Sequence, residues 1–263
     1  MKININTDDV LKKVKLNCFY IAENAINIDD FFEIQNFWLK ESLNIKKKYL
    51  KFVRGMFNTL GETNFNSFSD KKDDYFYRYS EFLWNKTISP KTRDLIYEIH
   101  KIRNRILNNH ELDGIIYSEE NKALYLTVNI YPNQYGCLAE HKDVFEENAI
   151  VLHSFIPLTF CGSHFEEGGL YIKDYKNKLH NLDNLAKPGS IVYFNGARPH
   201  GVNRIKSNSN NDRIAIYPMH SYFFNNNSVS TFLKKLIKFE SKIKRRFYNI
   251  KQNQGLVSDK LDI

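Results

Sequence analysis

The sequence predicts a mainly β domain, an antiparallel barrel or sandwich, with supporting helices before it and one helix after it. Between residues 116 and 224, short apolar runs are divided by turns rich in Gly, Asn and Pro, a pattern typical of antiparallel sheets. Two earlier segments instead carry apolar residues at helical spacing. Hydrophobic residues make up 42% of the 263-residue chain, which is enough to bury a sizeable core.

The region before the β core, residues 1–115, is predicted to support it within the same domain. Residues 16–22 form a strand, and residues 29–41 form an amphipathic helix whose apolar side chains share one broad face. Residues 91–107 form a second helix, opened by a Ser-Pro pair, which we expect to pack along the outer face of the sheet. The periodicity of residues 45–89 fits helix and loop equally, and we expect each of the many aromatics there to pack into a core.

The region after the β core, residues 225–263, is predicted to be a basic amphipathic helix followed by a frayed tail. Residues 231–248 place apolar side chains on one side and Lys and Arg on the remainder. Such a helix can dock onto the barrel itself, onto a partner protein or onto an anionic membrane. Docking onto the barrel is the interpretation we favour.

The charge and the cysteines restrict the class of protein. The formal net charge is +8, but the basic residues are spread through Asn-rich polar segments, which favours a solvated surface over a nucleic-acid-binding face. The three cysteines, Cys18, Cys137 and Cys161, have neither disulfide-framework nor metal-type spacing, which indicates a reducing compartment. The start of the chain lacks the apolar core of a signal peptide, so we expect a cytoplasmic protein.

Three residues of the β core are candidates for a metal site. His141 and Asp143 follow the strand-like run 123–131 and a short polar turn. In an extended chain, residues two apart point to the same side, so this imidazole and this carboxylate can reach one metal ion. His200 follows a tight Pro/Gly turn between two apolar strands. Two imidazoles and one carboxylate leave half of an octahedral iron open, the arrangement of non-haem Fe(II) oxygenases.

The segments that carry these residues resemble a known family. The order NIYPNQYGCLAEHKD, EEGGLYI, KPGSIVYFNGARPHGV and RIAIYPMHSYF is similar to the catalytic core of the Fe(II)/2-oxoglutarate-dependent dioxygenases, and its layout is nearest to the prolyl-hydroxylase-like branch. The resemblance covers roughly the C-terminal half of the chain. It implies a double-stranded β-helix, that is a jelly-roll barrel, which uses Fe(II), 2-oxoglutarate and O2, with ascorbate as an auxiliary reductant.

The same resemblance implies roles for individual residues. Arg213 opens the strand after the second His, where the family places a basic residue that holds the distal carboxylate of 2-oxoglutarate; Arg204 is its rival. Tyr131 matches a pocket tyrosine that hydrogen-bonds the cosubstrate or the substrate, although a core role as a strand aromatic fits equally well. Alternation along residues 150–160 places either His153 or Ser154 inward, and the sequence leaves this open.

The resemblance also indicates a type of reaction and a class of substrate. Related halogenases have a small residue at the position of Asp143, so a carboxylate there indicates hydroxylation. The family uses a pair such as Gly168-Gly169 to let two backbones approach closely. We therefore predict hydroxylation of an unactivated C–H bond in a small molecule, an amino acid or a biosynthetic intermediate, with release of succinate and CO2. A protein residue, prolyl or other, is the second substrate, a nucleic acid is disfavoured, and a non-catalytic metal- or ligand-binding jelly roll is the alternative of another class.

Overall fold

The structure is a computed structural model, and it describes residues 1–51, 64–71, 73–83, 85–111, 124–144 and 149–220. The predicted C-terminal helix, and with it the whole region 225–263, lies outside the described residues. Within them no helix is both long enough and apolar enough to cross a membrane.

Three helices are described: α1 (Thr7–Asn17), α2 (Ile28–Lys47) and α3 (Pro90–Ile106). Each begins after a residue whose side-chain oxygen accepts a backbone N–H of the first turn, namely Asn6, Asn27 and Ser89. The two predicted helices are confirmed, and α2 is longer than predicted. Helix α1 was not predicted, and it shortens the strand expected at residues 16–22.

That strand begins only at Phe19, because α1 continues to Asn17. Cys18 ends the helix in the left-handed region, at φ 69°, and its N–H donates to the carbonyl of Val14. Strand β1 follows directly. The apolar run at residues 16–22 is therefore divided between a helix end, its cap and a strand.

In the described part of the chain, twelve strands form two sheets. Their bounds are β1 Phe19–Ala22, β2 Leu50–Lys51, β3 Phe65–Lys71, β4 Asp74–Phe82, β5 Leu124–Tyr131, β6 Leu138–His141, β7 Leu152–Pro157, β8 Glu167–Lys173, β9 Leu179–Asn181, β10 Ile191–Asn195, β11 His200–Lys206 and β12 Arg213–His220. The larger sheet has the order β1-β10-β7-β12-β5-β4-β3-β2, and the smaller has the order β6-β11-β8-β9. Strands β5 to β12 thus contribute four antiparallel strands to each sheet, which confirms the predicted jelly roll.

The segment whose periodicity was ambiguous contains the hairpin of β3 and β4, which extends the larger sheet beyond β5. Alternate side chains of β4 enter two different cores. Tyr79 packs against Trp38 of α2, with ring centroids 5.3 Å apart, and Phe76 packs against Tyr131 inside the barrel at 5.3 Å. The expectation that these aromatics pack into a core is confirmed for this strand.

Among the described residues, two apolar clusters lie on opposite faces of the larger sheet. One lies between the sheet and the helices, where α2 and α3 are joined by a hydrogen bond of 2.8 Å from Trp38 Nε1 to Thr92 Oγ1. The other fills the barrel between the two sheets and includes Tyr131, Phe155, Phe194, Ala215 and Tyr217. Because helices cover its outer face, the central strands β5, β7 and β10 of the larger sheet are buried on both sides, and their inner face can carry functional side chains on rigid strands.

Candidate metal centre

Strand pairing in the smaller sheet brings the two predicted histidines together. His200 on β11 is the direct register partner of His141 on β6, and their ring centroids are 4.3 Å apart. Asp143 lies just beyond β6, with its Oδ1 3.9 Å from His141 Nε2 and its Oδ2 3.8 Å from His200 Nε2. One ligand atom from each residue lies within 4.8 Å of the others, so the three side chains could hold one metal ion. They form the only such group among the residues that the structure describes.

Backbone carbonyls fix the orientation of both imidazoles. His141 Nδ1 lies 2.8 Å from the carbonyl oxygen of Ala139, and His200 Nδ1 lies 2.9 Å from that of Arg198. A carbonyl oxygen only accepts hydrogen bonds, so each Nδ1 must carry the proton. The remaining ring nitrogen, Nε2, faces Asp143 in both residues. This is the arrangement in which imidazoles bind metals.

Burial and neighbouring charges set the protonation of the group. Burial, followed by the nearby imidazole of His141, lowers the pKa of His200 to about 4. Burial acts to raise the pKa of Asp143, but the hydrogen bond from His153 and the surrounding imidazoles outweigh it and lower that pKa below its usual range. Near neutral pH the site therefore presents a neutral His200 and an ionised Asp143 carboxylate, the forms that bind a metal.

On strand β7, His153 and not Ser154 faces the site. His153 Nε2 lies 2.7 Å from Asp143 Oδ2, and the His153 ring contacts Phe194 with centroids 5.4 Å apart. Ser154 is buried as well, but it points to the opposite face of the strand. His153 is thus an inward-facing residue that contacts a candidate metal ligand.

The predicted arginine lies deeper in the same interior. Arg213 has no exposed surface; its Nε donates to Asp183 Oδ2 at 2.8 Å and its Nη1 donates to the Tyr217 hydroxyl at 3.1 Å. Its Nη2 is buried and makes no hydrogen bond within the described part of the chain. The rival Arg204 is exposed and donates to the carbonyl of Gln134 at 3.4 Å. Of the two arginines, only Arg213 offers an unused donor inside the barrel.

Tyr131 is the register partner of Arg213 across β5 and β12. The guanidinium carbon of Arg213 lies 5.1 Å from the centroid of the Tyr131 ring, and the Tyr131 hydroxyl lies 3.5 Å from Asn129 Nδ2. Burial raises the pKa of Tyr131 well above its usual range. The hydroxyl therefore keeps its proton even beside the positively charged guanidinium and can donate a hydrogen bond. The tyrosine is both a core aromatic and a neighbour of the arginine.

Aromatic rings connect the two groups of residues. The centroid of the Phe155 ring lies 5.6 Å from the guanidinium carbon of Arg213 and 6.3 Å from the centroid of the Phe194 ring. The Phe194 centroid in turn lies 5.2 Å from that of the His200 ring. The structure therefore places the metal candidates, Arg213 and Tyr131 in one barrel interior, and it leaves Arg204 outside.

Asp183 is a site residue that the sequence did not reveal. It follows β9 in a polar turn, where an aspartate is ordinarily solvated, yet its side chain is fully buried against Arg213. Two glycines at the start of β8 leave the space for close contacts here. A Cβ on Gly169 would lie 2.7 Å from Asp183 Oδ2, and a Cβ on Gly168 would lie 2.4 Å from the carbonyl oxygen of Arg204. The close backbone approach predicted for this glycine pair is confirmed at Gly168, whereas Gly169 makes room for the side chain of Asp183.

Comparison with solved structures finds the same fold in several oxygenases. A prolyl-4-hydroxylase from Pseudomonas putida superposes with a TM-score of 0.53 at 12% identity, covering 81% of this chain and 96% of that one. EctD from S. alaskensis with 2-oxoglutarate and 5-hydroxyectoine gives 0.52 at 11% identity, covering 88% and 83%. A prolyl hydroxylase from Trichoplax adhaerens, in complex with a hypoxia inducible factor peptide fragment, gives 0.51 at 14% identity, covering 81% and 88%.

At these identities the likeness shows the fold. It confirms the jelly roll, and it confirms the resemblance to Fe(II)/2-oxoglutarate oxygenases at that level. No protein-family model matches the sequence, and no curated protein matches it significantly.

Proposed function

We propose that this protein is an Fe(II)- and 2-oxoglutarate-dependent oxygenase that hydroxylates an unactivated C–H bond of a small molecule, with release of succinate and CO2. One observation carries the proposal. Two imidazoles whose Nε2 atoms face one carboxylate share a barrel interior with a buried arginine that retains an unused hydrogen-bond donor. Neither half of this arrangement is needed to fill a core.

His141, Asp143 and His200 fit Fe(II). Two neutral imidazoles and one carboxylate form the ligand set of non-haem iron oxygenases, whereas structural zinc prefers four protein ligands. When bound, the iron supplies the redox chemistry that couples O2 to the oxidative decarboxylation of 2-oxoglutarate and to substrate oxidation. The chain would supply three ligands and leave the other coordination positions open to the reactants, next to the aromatic rings of Phe194 and Phe155.

Arg213 fits the distal carboxylate of 2-oxoglutarate. Its unused Nη2 is a charged donor that costs free energy while it is buried without an acceptor. A carboxylate satisfies that donor through a charge-assisted hydrogen bond. Tyr131, which stays protonated beside the guanidinium, can donate to the same cosubstrate. Asp183 and Tyr217 hold the other nitrogens of Arg213 in place.

A small molecule is the substrate class that we favour, because the sequence carries no recognisable peptide- or nucleic-acid-binding module. Among similar folds, one structure holds 5-hydroxyectoine and another a peptide fragment, with TM-scores of 0.52 and 0.51. This near-equality supports neither class over the other. Hydroxylation of a protein residue is therefore the second candidate.

The test is succinate formation by anaerobically purified protein that receives Fe(II), ascorbate and 2-oxoglutarate and is then exposed to air. Separate reactions receive no substrate, a pooled metabolite extract or a pool of proline-containing peptides, and the His141→Ala variant is the control. We expect slow turnover alone and stimulation by the metabolite pool. Stimulation by peptides only would move the assignment to a protein hydroxylase.

A different outcome would remove the enzymatic assignment. If the wild-type protein forms no succinate in any reaction and shows no absorbance band from an iron–2-oxoglutarate complex, the protein is not an oxygenase. The non-catalytic metal- or ligand-binding jelly roll would then be the better description.

A further inference from the structure

The carboxylate of Asp143 has a partner besides the two candidate ligand histidines. His153 Nε2 lies 2.7 Å from Asp143 Oδ2, whereas the atoms of His141 and His200 that face this carboxylate lie 3.8 to 3.9 Å away. An ionised carboxylate only accepts hydrogen bonds, so His153 Nε2 carries the proton and donates it. Among the described residues, His153 is the only donor to this carboxylate.

The two residues differ in how firmly the fold holds them. His153 lies within β7, in the middle of the larger sheet, and its side chain is 7% exposed. Asp143 lies after the end of β6 and its side chain is 28% exposed. The hydrogen bond therefore attaches a carboxylate at the edge of the smaller sheet to a buried strand of the larger sheet.

The turn between β10 and β11 is shaped around this pair. The carbonyl of Gly196 accepts the backbone N–H of Asp143 at 2.9 Å, and the N–H of Gly196 donates to the carbonyl of Val151 at 2.8 Å. A Cβ at position 196 would lie 2.3 Å from His153 Cδ2 and 2.4 Å from Asp143 Oδ2. Only glycine leaves room for the contact, while its backbone fixes the main chain of the aspartate.

After the main chain of Asp143 is fixed, rotation about its side-chain bonds is the remaining freedom. A carboxylate that rotates away from the two imidazoles must be reordered when a metal binds, and this costs free energy. A hydrogen bond from a buried strand removes that cost in advance. Outer partners of this kind typically change metal affinity by about 10- to 100-fold.

We propose that His153 is a positioning residue that holds the Asp143 carboxylate toward the Nε2 atoms of His141 and His200, so that the three ligands are ordered before the metal arrives. This inference rests on the proposed function, because it concerns the same metal site. His153 does not itself bind the metal in this arrangement, since its Nε2 proton is donated to Asp143.

Three substitutions separate positioning from packing. His153→Gln keeps an N–H donor at nearly the distance of Nε2 from the backbone, His153→Asn keeps an amide that is too short, and His153→Leu keeps bulk without a donor. The readout is the Kd for Co(II), measured on the metal-free protein by competition with a coloured chelator. Thermal unfolding of each metal-free variant serves as the measure of folding.

We expect His153→Leu and His153→Asn to raise the Co(II) Kd by about 10- to 100-fold, and His153→Gln to raise it by less than about threefold. The Asn variant gives this answer even if the Leu variant fails to fold. Equal affinity in all folded variants, or equal losses in Gln and Asn, would overturn the positioning role while the proposed function stands. A wild-type protein that binds neither Co(II) nor Fe(II) would overturn both.

Discussion

The two halves of the candidate site are built in opposite ways. Two of the metal candidates, His141 and Asp143, lie at the β6 edge of the smaller sheet with side chains 38% and 28% exposed, while the third, His200, is buried on β11. Arg213 and Asp183 lie between the sheets, and neither side chain is exposed. Removal of His141 at the exposed edge leaves no buried charge without a partner, whereas removal of Asp183 from the interior leaves the charge of Arg213 uncompensated. We therefore expect substitutions at the edge to affect chemistry and substitutions in the interior to affect stability as well.

The largest effect is expected at the exposed edge. His141→Ala or Asp143→Ala should abolish 2-oxoglutarate turnover, because two protein ligands cannot replace the three-ligand set. Thermal unfolding of metal-free His141→Ala should change little, whereas Asp143→Ala should unfold at a somewhat lower temperature because it leaves the buried Nε2–H of His153 without its acceptor. Succinate formation and the unfolding midpoint together check this, and undiminished succinate in either variant would remove the iron assignment.

The second effect concerns the stability of the interior. Asp183→Ala should lower the free energy of unfolding by about 3–5 kcal/mol, because it leaves the Arg213 guanidinium buried without its carboxylate. Urea unfolding of the metal-free protein measures this. The control is Glu167→Ala, which breaks the exposed ion pair with Lys206 and should cost no more than about 1 kcal/mol. Equal losses would contradict the contrast between the two regions.

The third effect is on cosubstrate binding. Arg213→Ala should weaken 2-oxoglutarate binding by roughly 1.5–3 kcal/mol, the value of one charge-assisted hydrogen bond, while Arg204→Ala should leave it unchanged. Equilibrium titration of the Co(II)-loaded variants, at a temperature where each is folded, checks both. If only Arg204→Ala weakens binding, the cosubstrate arginine has been assigned to the wrong residue.

The smallest effect is a pH dependence that arises outside the site. Burial lowers the pKa of His100, on α3, from 6.5 to about 3. Below pH 6.5 the unfolded chain therefore binds a proton at this residue that the folded protein does not. The free energy of unfolding should fall as the pH decreases from 6.5 toward 3, by up to about 1.4 kcal/mol per pH unit from this residue.

Unfolding of the metal-free wild type and of His100→Gln between pH 6.5 and 5 isolates this contribution, since most carboxylates remain ionised there. The variant should show the shallower decrease with falling pH. Identical slopes in the two proteins would mean that His100 is not held neutral by burial.

The core strands and the metal candidates were predictable because their signals are local. His141 ends β6 two residues before Asp143, and His200 begins β11 directly after its predicted turn. The two histidines are register partners in the fold. Strand β4 was not predictable, because its aromatics enter two different cores and so lack the alternation of a half-buried strand. Helix α1 was missed because it buries only Val10 and Val14 in an otherwise polar segment.

Two features of the site, the burial of Asp183 and the inward direction of His153, depend on contacts between residues far apart in the sequence. The burial of Asp183 depends on Arg213, which lies 30 positions later and in the other sheet. The inward direction of His153 depends on the register of β7 against β10, and a shift of one residue would have placed Ser154 there. No pattern near either residue contains this information.

The hydrogen bonds that orient the two candidate ligand histidines have an evolutionary consequence. Both acceptors are main-chain oxygens, of Ala139 and Arg198, and every amino acid supplies that atom. Point substitutions at these positions therefore cannot delete the acceptor. Substitution of Ala139 or Arg198 therefore leaves the hydrogen bond to each Nδ1 available, and the Nε2 atoms of His141 and His200 keep their direction.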